Sequence, residues 1–358
     1  MATESAAFAS GVARQERAAR PLGGVGFDWV MALIFSWPLI GAYSDAWAHN
    51  HLPIDDFFTP WHGILYSGFL AAAITMFVVP VINMRRGLSW RQALPEGYGL
   101  SFVGVLVIFV GGPGDLLWHT VFGFEKDMDA AFSPTHLLIA LAIGLVVSGP
   151  LRAAWHRDNG RAPGFSTLLP GLISLAFLLS TITLITQFSH PFFYTWAAMG
   201  DQTVSSNTAR MIGALDILFQ TSILMGVLLV ALRRWALPFG ALTLVFTLNA
   251  VALCFMHDRY YLIPGAVLTG LVADVLVRYL QPSAANTLAL RLFAFMVPVT
   301  SQLLYFGALM LHDGVWWSVH MWLGVTAWSG VAGLLLSFVA LPPAIPASAS
   351  PSSPSKSA

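Results

Sequence analysis

Residues 97–121 read GYGLSFVGVLVIFVGGPGDLLWHTV, uncharged from Gly97 to Gly114. A helix rises about 1.5 Å per residue, so about twenty apolar residues cross the roughly 30 Å hydrocarbon core of a bilayer. The stretch therefore predicts a membrane span. Toward its end it carries an acid and a histidine four residues apart, Asp115 and His119.

Similar stretches lie at 27–48, 60–83, 132–153, 166–188, 209–232, 237–256, 260–280, 287–311 and 315–340. Across the 358 residues, 57% are hydrophobic and 9% charged, and the mean hydropathy is +0.72. Soluble domains do not have this composition. The expectation is an all-α integral membrane bundle of about ten helices over residues 25–341. A tail at 1–24 and a Pro/Ser/Ala tail at 342–358 lack the apolar content needed to order themselves and read as disordered cytoplasmic arms. The first has no apolar core of signal-peptide length and reads as a tail, not a cleaved leader.

Lys and Arg together number 17, as do Asp and Glu. With no net charge to attract a polyanion, nucleic acid is excluded as a partner. The single cysteine, Cys254, excludes an intrachain disulfide framework and any CxxC motif.

Basic residues in short loops stay on the cytoplasmic side. With ten crossings, fourteen of the seventeen fall on the side of the N-terminus, and only Lys126, Arg210 and Arg259 fall opposite. The expected topology is five helical hairpins with outward tips and both termini cytoplasmic, in the inner (plasma) membrane. On that map nine of the ten histidines, all but His156, lie at or near the extracytoplasmic face, accompanied by most of the acids.

The first two outward hairpins, within residues 27–83 and 97–153, read as an internal repeat. Asp45-Ala-Trp-Ala-His49 is followed by Asp55-Asp56-Phe-Phe-Thr59-Pro60-Trp-His62, and Asp115-Leu-Leu-Trp-His119 by Asp129-Ala-Ala-Phe-Ser133-Pro134-Thr-His136. An acid and a histidine four residues apart share one helix face. Thr59 and Ser133 are natural N-caps with proline next in line, which puts His62 and His136 in the first turn of the return helices. Each hairpin should thus gather Asp, His and His at one depth. Imidazole with carboxylate suits a transition metal such as copper, iron or zinc.

Gly111-Gly112-Pro113-Gly114 should interrupt its span and set Asp115 and His119 over a pocket. His190 and His257 read as interfacial anchors, and tryptophans such as Trp47, Trp196 and Trp317 mostly as an aromatic belt. His320, near the start of the last span, could face the same cavity as the hairpin sites. HExxH, GxSxG, Walker A and dinucleotide-binding motifs are absent, which disfavours ordinary protease, lipase, ATPase and nicotinamide chemistry.

Asp45, three residues, His49, twelve residues, His62 resembles the intramembrane Asp/His/His copper-ligand pattern of the C subunit of copper membrane monooxygenases, over about eighteen residues. The resemblance implies copper held by these three side chains in a membrane oxidase.

Together these readings point to an integral membrane metalloprotein, an enzyme acting on a small or lipophilic substrate, with redox oxygen chemistry on copper or iron favoured over zinc-assisted hydrolysis and both open. The metal-ligand candidates are Asp45, His49, His62, Asp115, His119, His136 and His320. Asp55, Glu125 and Asp129 would orient ligands or carry protons. The two hairpins could form two sites or one dinuclear centre. A homo-oligomer or a subunit of a membrane complex is compatible with the sequence. So are a transporter or metal-acceptance protein that uses the cluster as an entry site, and haem ligation by His119 and His136.

Overall fold

The computed structural model describes residues 22–52, 57–125, 127–158, 160–199 and 206–343. Most of both expected tails, together with Asp55, Asp56, Lys126 and Asp201, lies outside them. The described residues are all-helical, with no named strand. They form α1 (Val25–His51), α2 (Pro60–Arg85), α3 (Trp90–Ala93), α4 (Gly99–Phe122), α5 (Asp127–Phe132), α6 (Pro134–Val147), α7 (Gly149–His156), α8 (Phe165–Ile185), α9 (Ser206–Arg234), α10 (Ala241–His257), α11 (Ile263–Leu280), α12 (Thr287–His312) and α13 (Val319–Ala340).

Nine spans among these residues are long and apolar enough to cross a membrane, with α6 and α7 counted as one. The tenth expected span, α10, has 17 residues. At about 1.5 Å each they cover some 25 Å, short of the hydrocarbon thickness. Its N-terminus lies inside the bundle, where the buried Asp274 of α11 accepts from the backbone N–H groups of Leu242 (3.0 Å) and Thr243 (2.9 Å) and from the Thr243 hydroxyl (2.6 Å). A helix start without water needs such a partner for its unpaired donors. The tight turn expected at His257-Asp258-Arg259 is present, with Asp258 in the left-handed region at φ 55°.

The α1–α2 pair is the closest-fitting contact near the site. A Cβ on Gly41 would lie 2.4 Å from the Cα of Leu65, and one on Gly68 would lie 2.5 Å from the backbone nitrogen of Pro38. Two helices approach this closely only where side chains are missing, as small-residue contacts in membranes allow. Gly41 lies one turn before Asp45, so the approach brings the end of α1 against the start of α2.

Gly111–Gly114 does not interrupt α4, which is continuous from Gly99 to Phe122 with Pro113 inside it. One proline removes a single backbone donor, whereas unwinding in an apolar medium would strand several. His190 is buried, not an interfacial anchor: its Nδ1 accepts from the Phe192 N–H at 3.1 Å. Burial, aided by nearby His257, pushes its pKa down to about 3. Trp196 and Trp317 are likewise core residues and not part of a belt.

Candidate metal centre

Asp45 and His49 stand one turn apart near the C-terminal end of α1. His62 enters from α2, whose first turn is fixed by Thr59, the hydroxyl of which accepts from the His62 N–H at 3.2 Å. The side chain of His62 is oriented by the Phe57 carbonyl, 2.6 Å from Nδ1. A carbonyl can only accept, so Nδ1 carries a proton and Nε2 is the ring nitrogen turned inward toward Asp45. Nε2 of His62 lies 3.4 Å from Oδ1 of Asp45, and Nε2 of His49 lies 3.7 Å from Oδ2 of the same carboxylate. Oδ1 of Asp45 and Nε2 of His49 are buried without a hydrogen-bond partner.

The second set repeats this local geometry. Asp115 and His119 lie one turn apart on α4, and the Ser133 hydroxyl accepts from the His136 N–H at 3.4 Å. Nδ1 of His136 is tied to the Ala130 carbonyl. Oδ1 of Asp115 is 3.3 Å from Nε2 of His136 and 3.6 Å from Nε2 of His119. Both Oδ1 of Asp115 and Nε2 of His119 are again orphaned. Nδ1 of His119 lies 3.3 Å from the Gly123 carbonyl and 3.3 Å from Oε2 of Glu125, whose other oxygen accepts from the Trp118 indole.

In each set three ligand atoms lie within 4.8 Å of one another and could hold a metal ion. A tetrahedral ion with bonds of about 2.0–2.1 Å needs ligand atoms roughly 3.3–3.4 Å apart, close to the carboxylate–imidazole separations here. A carboxylate oxygen faced by two imidazole Nε2 atoms is a place for a cation, whether a metal ion or the proton of an imidazolium. Nδ1–H donation to a carbonyl is also how metal-bound imidazoles are usually held. The residues present therefore fit a transition ion.

The two sets are neighbours. The Tyr66 hydroxyl, on the helix that carries His62, donates to Oδ2 of Asp115 at 3.1 Å. The Phe57 ring centroid lies 4.7 Å from that of His62 and 6.3 Å from that of His119. His49 is within electrostatic range of both His119 and His136.

Compared with known proteins, the chain matches no family model, no curated protein and no solved structure. The likeness to the monooxygenase subunit rests on the spacing of Asp45, His49 and His62 alone.

Of the other candidates, Glu125 joins the second set through His119. Asp129 is exposed on α5, and His320 is exposed in the first turn of α13 and belongs to neither group. Asp55 lies outside the described residues. At the C-terminal cap of α12, Asp313 accepts from the Tyr261 hydroxyl at 2.6 Å and lies 2.8 Å from Nδ1 of His312. Partial burial opposes its charge, but these two partners hold its carboxyl below the ordinary value. Sequence reasoning passed over Tyr66, although it lies four residues after His62 and hence on the same helix face.

Proposed function

We propose that this chain is a membrane metalloenzyme, a copper-dependent oxidoreductase acting on a small or lipophilic substrate. Asp45, His49 and His62 would be one ligand set, and Asp115, His119 and His136 the other, both on the extracytoplasmic side. The observation that carries the reading is the pair of convergent sets in which buried carboxylate and imidazole atoms lack a hydrogen-bond partner while the opposite ring nitrogens of His62 and His136 are anchored to carbonyls.

Copper is named on the Asp-x3-His-x12-His spacing that resembles the copper-ligand pattern of the monooxygenase subunit, while carboxylate and imidazole ligands equally admit zinc or iron. When bound, copper would supply one-electron and oxygen chemistry. The chain holds the ligands in register, turns the Nε2 atoms of His62 and His136 inward by tying Nδ1 to carbonyls and places Glu125 against Nδ1 of His119, where it can raise the basicity of that ring or carry a proton. Extracytoplasmic placement is supported by Arg85, Arg86, Arg91, Arg152, Arg157 and Arg161, which lie at the opposite ends of α1–α7 from the ligand sets, as basic residues of cytoplasmic loops do.

Haem between His119 and His136 is disfavoured, since both rings converge on one oxygen of Asp115 with centroids 5.3 Å apart. A transport path inward from the cluster has little support either. Asp216 accepts from the Trp196 indole at 3.0 Å, and Asp274 caps α10.

Metal content by mass spectrometry on purified protein tests the proposal, beside His49→Ala and His119→Ala at equal folded yield. Stoichiometric copper, lowered by each substitution, is the expected result. Protein that stays metal-free after reconstitution with copper, zinc and iron overturns it.

A further inference from the structure

The faces of α2 and α4 below the second ligand set do not close on each other. Between them lies a pocket of about 370 Å³ whose lining includes Tyr66, Leu70, Ala73, Phe109, Gly112 and Leu116. These positions recur about once per turn along each helix, so the pocket runs lengthwise between two membrane spans. Leu70 is 58% exposed and Phe109 56%. In a bilayer such side chains face lipid, so the pocket is open to the membrane.

Its inner end is the metal-centre candidate. Leu116 follows Asp115 directly, and among the described residues Tyr66 is the only lining residue with a polar side chain. The Tyr66 hydroxyl already donates to Asp115, so toward the pocket it can only accept one hydrogen bond. Gly112 helps to keep the space: a Cβ there would lie 3.1 Å from Cε1 of Tyr66.

We propose that this pocket binds an uncharged, hydrocarbon-rich small molecule, carrying at most one hydroxyl, that enters sideways from the bilayer and places one end beside Asp115. A charged or strongly polar molecule would lose its hydration and find a single acceptor in return. The volume exceeds the roughly 150 Å³ of an apolar cavity that holds benzene and lies near the low end of small-molecule sites, about 300–1,000 Å³. That size suits a medium-length chain or a small fused ring. The inference deepens the metalloenzyme reading and rests on it for catalytic meaning, but binding itself does not require the metal.

The test is photolabelling of the full-length protein in lipid nanodiscs with azioctanol, with octane as competitor and metal content measured on the same samples. Saturable adducts on Tyr66, Leu70 or Leu116, blocked by octane, are expected. Leu70→Trp and Leu116→Trp, placed at exposed or half-exposed positions to spare folding, should lower pocket labelling about tenfold or more while metal content holds. Labelling that does not saturate, that matches lipid-facing Leu33, or that ignores both substitutions overturns the inference and leaves the metal reading standing. Saturable pocket labelling in protein that never holds metal supports the binding site and removes the metalloenzyme reading.

Discussion

The Tyr66 hydroxyl donates to Oδ2 of Asp115 at 3.1 Å, joining the helix that carries His62 to the helix that carries Asp115 and His119. Tyr66→Phe keeps the ring and deletes only this donor, leaving a carboxylate oxygen unsupported. Loss of an outer hydrogen bond to a ligand typically lowers metal affinity about 10- to 100-fold. The second set should lose affinity in that range while the first is unchanged, read by metal titration of His49→Ala and His119→Ala backgrounds with and without Tyr66→Phe. An equal loss at both sets would assign Tyr66 to helix packing.

Glu125 offers a similar test from the other side of the same set. Its Oε2 lies 3.3 Å from Nδ1 of His119 and has no hydrogen-bond partner. Glu125→Gln preserves size but removes the charge that would make His119 a better donor to a metal. Affinity at the second set is expected to fall about 10-fold or more, with thermal stability of the metal-free protein little changed. Unaltered affinity would mean that Glu125 serves only the Trp118 indole.

The first set depends on how closely α1 and α2 approach. A side chain at Gly41 would collide with the backbone of Leu65, whereas a Cβ at Gly63 meets nothing within 4 Å. Gly41→Val should separate the helices, cost about 1–3 kcal/mol as overpacking does, and lower metal binding by Asp45, His49 and His62 more than by the second set. Gly63→Ala, one residue from His62, should leave metal content intact and slightly raise stability, since alanine is the better helix former by about 1 kcal/mol. Metal titration and thermal unfolding in one detergent check both. Full first-set occupancy in Gly41→Val would sever the link between the glycine contact and the site.

The two Asp/His/His groups were legible because their pattern is local. Asp45 and His49 share a helix face by spacing alone, and Thr59-Pro60 and Ser133-Pro134 announce the turns that aim His62 and His136. The length of α10 was not legible, since its start depends on Asp274 reaching over from another helix. Pro113 misled because the rule that proline breaks a helix is calibrated in water, where freed carbonyls find partners that lipid does not supply. His190 read as interfacial from its neighbours in sequence, but the helices that bury it are distant in the chain. The contact between Tyr66 and Asp115 joins residues 49 positions apart, and no periodicity within either helix encodes it.

Burial of His190 gives the fold a pH dependence of its own. With Gln220, Thr221, Asn249 and Gln302, it lines a cavity of about 80 Å³ that no acidic side chain borders among the described residues. Burial, and secondarily His257, lowers its pKa to about 3, whereas an unfolded histidine takes up its proton near 6.5, roughly. Between these values the unfolded chain binds a proton that the folded chain refuses. The contribution is therefore fully present above about 6.5 and is lost as pH falls toward about 3. Within the window this side chain contributes a slope approaching about 1.4 kcal/mol per pH unit. His190→Asn retains an acceptor for the Phe192 N–H but cannot titrate. Thermal unfolding followed from pH 7 down to about pH 4 should show a shallower decline in this variant than in the parent. Parallel declines would mean that the pH dependence comes from other groups and that His190 meets water more readily than its burial implies.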